Sequence, residues 1–109
     1  MSAERTFAVI REQGPGWDTS RGMREQDKWP EHVDFINGIA DEGFLLVAGP
    51  VGEGNPYRAM LIVNAEDAAQ AAARIEADPW TTAGVLETKA IDRWEVLVGE
   101  LPQLMSKER

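Results

Sequence analysis

His32, in WPEHVDFI, is the only histidine of the sequence, and Asp78, in EADPWTTAGVLE, interrupts a chain that has just run through the alanine-rich EDAAQAAARI. An unperturbed imidazole titrates near ~6.5, so a histidine can take or give a proton at neutral pH, and a nearby carboxylate can orient or charge it. Each residue also has a plainer role. A histidine in the first turn of an amphipathic helix is usually a partly exposed polar side chain. Asp before Pro favours an extended backbone and stops a helix. The charge of Asp78 is harder to explain, because a carboxylate at a helix C-terminus opposes the dipole and costs about 0.3–1 kcal/mol. Glu76 adds to that repulsion. Asparagine would stop a helix without the cost, so the acid points towards function.

Composition removes several classes of chemistry. The chain has 109 residues, 43% hydrophobic and 28% charged, which is the balance of one ordinary globular domain spanning 1–109. The net charge is -8, with 19 acidic against 11 basic residues, so no basic cluster exists to displace counterions from a nucleic acid or to bind an anionic membrane. Cysteine is absent, which excludes disulfides, thiolate metal sites and a cysteine nucleophile. With a single histidine as nitrogen ligand, a built-in zinc site is not expected. The start, MSAERTFAVIREQ, lacks a secretory apolar core, and no apolar stretch is long enough to span a bilayer. A cytoplasmic protein is the expectation.

The elements that must position His32 and Asp78 follow from pattern. TFAVIR (6–11) is rich in β-branched and aromatic residues and reads as a strand. A polar loop, 12–28, follows, with a helical turn expected around Met23 to Asp27; loops of this length are usually functional lids or disordered. From Pro30, Val33, Ile36 and Ala40 recur at helical spacing, Pro30 suits the first turn, and Gly43 sits where a C-terminal cap belongs. FLLVAGPV and YRAMLIVN are two strands joined by the turn GEGNP. AEDAAQAAARIEA is a second helix, GVLETKAIDRWEVLVG contains a long fourth strand, and a polar tail occupies 100–109.

The order β-α-β-β-α-β predicts a ferredoxin-like α+β domain with a four-stranded antiparallel sheet. Phe7 and Val9 alternate with Ala8 and Ile10, and Leu61 and Val63 with Met60 and Ile62, so both sheet faces are apolar. Two helices cover only one face. The other is expected to pair with a second copy, giving a homodimer through the uncovered sheet face. In this layout His32 is expected at one end of the helical layer and Asp78 at the other, so that they meet across the dimer or serve separate subsites.

WPEHVDFI, EGFLLVAGP and EADPWTTAGVLE together resemble the YciI-like family, the YCII-related domain, over about Phe7 to Trp94. Its members carry a histidine at the start of the first helix, a Gly-Pro ending the second strand, and a D-P-aromatic segment before an Ala/Ser-Gly pair. The resemblance implies a dimeric α/β barrel built on the ferredoxin-like fold, and a catalytic histidine–aspartate pair at His32 and Asp78. Many short members have arginine where this chain has Trp29, and the insertion GPGWDTSRGMREQDK lengthens the loop, so the pocket rim differs.

The candidate ligand contacts around the pair are Trp17, Arg24, Trp29, Gly49, Pro50 and Trp80. Trp29, Trp80 and Trp94 also suit a core or an interface, since aromatic rings dominate such burial. Trp17, in a polar loop, needs something to cover, and Arg21 and Arg24 could draw in an anionic or phenolate substrate, although a salt bridge to a neighbouring acid is the commoner outcome. VGEGNP opens no helix and is not a phosphate loop.

The function these residues suggest is acid/base catalysis without a bound cofactor: proton transfer or elimination on a small oxygenated cyclic compound. One branch of the family is associated with dehydrohalogenation of hydroxylated rings. The alternatives are a non-catalytic ligand-binding or accessory module using the same cleft, and a cofactor-free oxygenase of the wider barrel superfamily.

Overall fold

The computed structural model describes residues 5–101; most of the tail expected at 100–109 lies outside them. Among the described residues, four strands and three helices follow in the order β1 (Arg5–Gln13), α1 (Trp29–Asp41), β2 (Leu45–Pro50), β3 (Arg58–Ala65), α2 (Ala68–Glu76), α3 (Pro79–Thr82) and β4 (Leu86–Arg93). A 3₁₀ turn, Met23–Glu25, sits where the helical turn was expected. The sheet order is β2-β3-β1-β4, with every neighbouring pair antiparallel. This is the ferredoxin-like α+β arrangement, and it follows from the two split β-α-β units.

Alternation along β1 sets the two faces. Phe7, Val9 and Arg11 lie opposite Val63, Leu61 and Ala59 of β3, and all six are buried on the helix-covered side. Ile39 of α1, with Ala71 and Ile75 of α2, closes the core above them. The other face carries Ala8, Ile10, Met60 and Ile62, as the residue pattern predicts. Where β1 meets β4 the register shifts between Ile10 and Arg11, so that Ile10 opposes Ala90 but Arg11 opposes Thr88. The extra residue, Lys89, is exposed, which keeps a second cation away from Arg11.

The loop from 14 to 28 is more tightly bound than its composition suggests. Gly14 N donates to Val85 O at 2.8 Å and Gly16 N to Gly84 O at 2.7 Å. A Cβ at Gly14 would stand 2.4 Å from Gly84 O, and one at Gly16 would stand 2.5 Å from Ala83 O, so backbone passes directly over backbone. Buried Gln26 then gathers the loop from within: its Nε2 donates to Asp18 O, Arg21 O and Gly22 O, and its Oε1 accepts from Asp18 N.

The fourth strand, Leu86–Arg93, lies within GVLETKAIDRWEVLVG, and just past its end the Trp94 N–H donates to Thr6 O. One segment differs from expectation. The segment DPWTT is not only a helix stop. It is a helix of one turn, with Asp78 as N-cap, Pro79 at the first position and Gly84 at positive φ after the C-cap.

Candidate active site

His32 and Asp78 meet within one chain. His32 Nδ1 lies 3.0 and 2.9 Å from the two Asp78 carboxylate oxygens. The expectation that they occupy opposite ends of the helical layer is therefore corrected, and the reason is topological. Helices α1 and α2 each run against the strand before them, but β1 and β3 are themselves antiparallel. The two helices consequently run in opposite directions, and the start of one adjoins the end of the other.

Asp78 also differs from its expected setting. It follows the C-cap of α2, Ala77, and its side chain turns forward to accept the Trp80 N–H at 2.9 Å. The carboxylate is thus at the beginning of a helix, not opposed by the end of one. It is fully buried, at 0% exposure. The charge is balanced by a residue that sequence reasoning passed over: Arg11, 1% exposed, donates from Nη1 to Asp78 Oδ2 at 2.8 Å. Arg11 Nη2 also bonds Thr81 Oγ1. Burial lowers the Arg11 pKa, while the Asp78 carboxylate opposes that shift. The signal was available in the alternation Phe7, Val9, Arg11, which puts a guanidinium on the core face, where it must find an acid.

Trp80 holds the imidazole from behind. Its ring is stacked on His32 with centroids 3.8 Å apart and an interplanar angle of 10°. It is fully buried, and its indole Nε1 donates to Asp27 O at 2.7 Å. That carbonyl is presented beside Lys28, whose φ of 67° puts a non-glycine residue in the left-handed region at the start of α1. Trp80 is thus a core residue, one of the two roles its sequence context allows, and it supports His32.

The other edge of His32, whose side chain is 13% exposed, reaches a cavity of about 180 Å³. Trp29, Gly49 and Pro50 line it, together with Met23, Tyr57, Leu61 and Arg11. A cavity of about 150 Å³ accommodates benzene, so the space suits one six-membered ring. Burial raises the Tyr57 pKa against the influence of Arg11 and Arg24, keeping the phenol protonated at neutral pH. Its hydroxyl lies 3.1 Å from Met23 Sδ.

Trp17 and Arg24 do not reach this cavity. Trp17 stacks on Tyr57 at 4.6 Å and meets Trp80 edge-on at 6.1 Å, and with Arg21 it lines a second, more open cleft of about 510 Å³. Met23, Pro50 and Tyr57 border both spaces. Arg24 is exposed and belongs to neither wall. The loop thus roofs the site through Met23, while Trp17 braces the wall from outside.

The site thus joins a buried carboxylate, an imidazole fixed upon it and an apolar chamber of ring size. The family model of the YCII-related domain matches residues 6–95. The chain belongs to the YCII-related family. No curated protein matches it in sequence. Among solved structures, this YCII-related domain is similar to 5-chloro-2-hydroxyhydroquinone dehydrochlorinase from Burkholderia phenoliruptrix, in complex with 2,5-dihydroxybenzoquinone. The identity is 23% and the TM-score 0.61, over 83% of this chain and 93% of the other. At that identity the likeness establishes the fold, of the type found in dimeric α/β barrels.

Proposed function

We infer that the protein is a small acid/base enzyme that needs no bound cofactor and acts on a hydroxylated six-membered ring by proton transfer or elimination. One observation carries this reading: a single imidazole, anchored through Nδ1 to a buried carboxylate, borders an apolar chamber that fits one ring. His32 serves as base and Asp78 as its orienting partner. A ring hydroxyl gives its proton to His32, and the O–H bond pair moves into the ring. Return of the proton to a ring carbon completes a tautomerisation. Where that carbon bears chlorine, a second deprotonation lets chloride leave with its bonding pair, for a net loss of HCl. The family and the solved dehydrochlorinase support this substrate class.

Chloride release and quinone absorbance, measured with 5-chloro-2-hydroxyhydroquinone and a panel of chlorinated hydroquinones and lactones, test the reaction. Turnover is expected for the natural sequence and a loss of about 10²–10⁴-fold for His32→Ala. Binding of 2,5-dihydroxybenzoquinone without turnover of any panel member would leave the site as a ligand-binding module.

The same reading makes the protein a homodimer through the open sheet face. Ala8, Ile10, Met60 and Ile62 lie there, and Val47 of the neighbouring strand is 41% exposed. Sedimentation at micromolar concentration is expected to give a dimer, and Met60→Glu a monomer. A stable monomer of the natural sequence would rule out the paired barrel.

A further inference from the structure

Arg11 has no part in the reaction as drawn above, yet it is placed at the centre of the site. It lies on β1, one residue from the register shift, and borders the ring-sized cavity while gripping Asp78 from behind. The question is whether it is there only to tie β1 to α3.

Its energetics argue against a purely structural tie. An apolar residue would continue the Phe7, Val9 series into the core, and replacing a buried ion pair by packed apolar groups is often neutral or stabilising. Nor does the fold use the whole guanidinium: Arg11 Nε is buried without a hydrogen-bond partner. A buried donor left unmet is itself unfavourable.

The hydrogen-bond geometry gives Arg11 a more specific task. Asp78 Oδ2 receives Arg11 Nη1, and Oδ1 receives the Trp80 backbone N–H. Guanidinium and amide N–H groups can only donate, so both Asp78 oxygens are committed as acceptors. Asp78 forms a buried ion pair with Arg11, and against that paired carboxylate the remaining group that touches it, His32 Nδ1, takes the part of the N–H donor. In the neutral ring the lone pair then resides on Nε2, the nitrogen that is not spent on Asp78.

We propose that Arg11 is a positioning residue for proton transfer: it locks Asp78 as an ionised, correctly turned acceptor and so commits His32 to the tautomer whose Nε2 is a free base. Arg11 also offsets the carboxylate charge that faces the ring. This inference rests on the functional reading above for its use in catalysis, but the tautomer it specifies is a property of the free protein. The charged and titratable groups that act on Arg11 are Asp78, Glu76 at the end of α2 and Tyr57 beside β3, and Arg24 in the 3₁₀ turn acts on Tyr57.

Because His32 is the only histidine, its two nitrogens can be read directly by ¹⁵N–¹H correlation NMR of the uniformly labelled, ligand-free protein. The natural sequence is expected to show Nδ1 protonated and Nε2 bare when the ring is neutral. In Arg11→Met, or in Arg11→Gln should the methionine variant not fold, the Asp78 carboxylate is expected to lose its fixed orientation and the neutral ring its single tautomer. Arg11→Lys, which keeps the charge, is expected to restore most of the tautomer preference. In the reaction, Arg11→Met is expected to lower kcat about 10- to 100-fold, the usual effect of an outer-shell partner, with little change in KM. A natural protein with Nε2 protonated in the neutral ring, or a folded Arg11→Met or Arg11→Gln with unaltered tautomer, overturns the proposal. The predicted tautomer and its loss on substitution, in a protein that turns over no panel compound, uphold the role of Arg11 and reject the enzyme reading alone.

Discussion

Two aspartates begin helices on the same side of the sheet, and they have little else in common. Asp67 caps α2, accepting the Gln70 N–H at 2.8 Å, and Gln70 Oε1 reaches back to the Glu66 N–H at 2.8 Å. Asp78 caps α3 in the same way through Trp80 N. Asp67 is exposed and has done its work once the helix is capped. Asp78 is buried and takes two further donors, Arg11 and His32, from elements 67 and 46 residues away in sequence. A local role therefore explains the first acid completely and the second only in part. A four-residue helix needs no ionised, desolvated cap. The difference lies in the contacts a cap does not require.

Substitution at the two caps should separate these contributions. The largest effect is expected at Asp78. Asp78→Asn can still cap α3, but it leaves the Arg11 guanidinium buried without its counter-charge. Breaking a buried pair in this way costs about 3–5 kcal/mol, a large part of the stability of a small domain. Denaturant unfolding followed by tryptophan fluorescence should register that loss. It reverses the expectation from the dipole argument, which treats Asp78 as ending α2 and predicts unchanged or raised stability. The double change Arg11→Met with Asp78→Asn removes both charges and should regain most of the stability, with no return of activity. If it remains as unstable as Asp78→Asn, the cost lies in capping or packing and not in the unpaired cation.

How far the site was legible in the sequence depends on the range of the contacts. Alternation in TFAVIR and MLIV, with Pro30 and Gly43 bounding α1, suffices for the architecture, because these signals are local. His32 and Asp78 were identifiable as a pair through the family resemblance, but their meeting was not, since helix direction in the layer has to be followed through two antiparallel strands. Arg11 was hidden by reading it as the end of a strand and not as the third member of an inward-facing series. DPWTTAG carries the marks of a helix in miniature, Asp then Pro at its start and Gly after its end, and reads as punctuation only because it follows a longer helix. Trp17 illustrates what no local pattern contains: its partners Tyr57 and Trp80 are 40 and 63 residues away, so a ring that seemed free to cover a ligand covers a tyrosine.

A smaller effect is expected where only a cap is lost. Asp67→Ala removes the acceptor for Gln70 N and should destabilise by about 1 kcal/mol, the usual value for an N-cap. The loss should appear as faster amide exchange in the first turn of α2, while turnover and the His32 tautomer are unchanged. A change at His32 would mean that α2 transmits strain to the site through the Ala77 junction, and the two caps would not be independent.

The smallest effect should come from Asp67→Asn, the same exchange that is costly at Asp78. Asparagine caps as well as aspartate does, so the hydrogen bond to Gln70 survives. What is lost is the attraction between a carboxylate and a helix N-terminus, about 0.3–1 kcal/mol at low ionic strength and less in salt for an exposed group. At physiological salt the stability should fall by less than about 0.5 kcal/mol, and repeating the denaturation at low and high salt should make the residual difference appear and fade. At Asp78 the cost should persist in salt, because its partner Arg11 is sealed from solvent. Equal, salt-insensitive losses at both positions would assign the effect to the caps themselves, and Asp78 would then be no more than the start of a short helix.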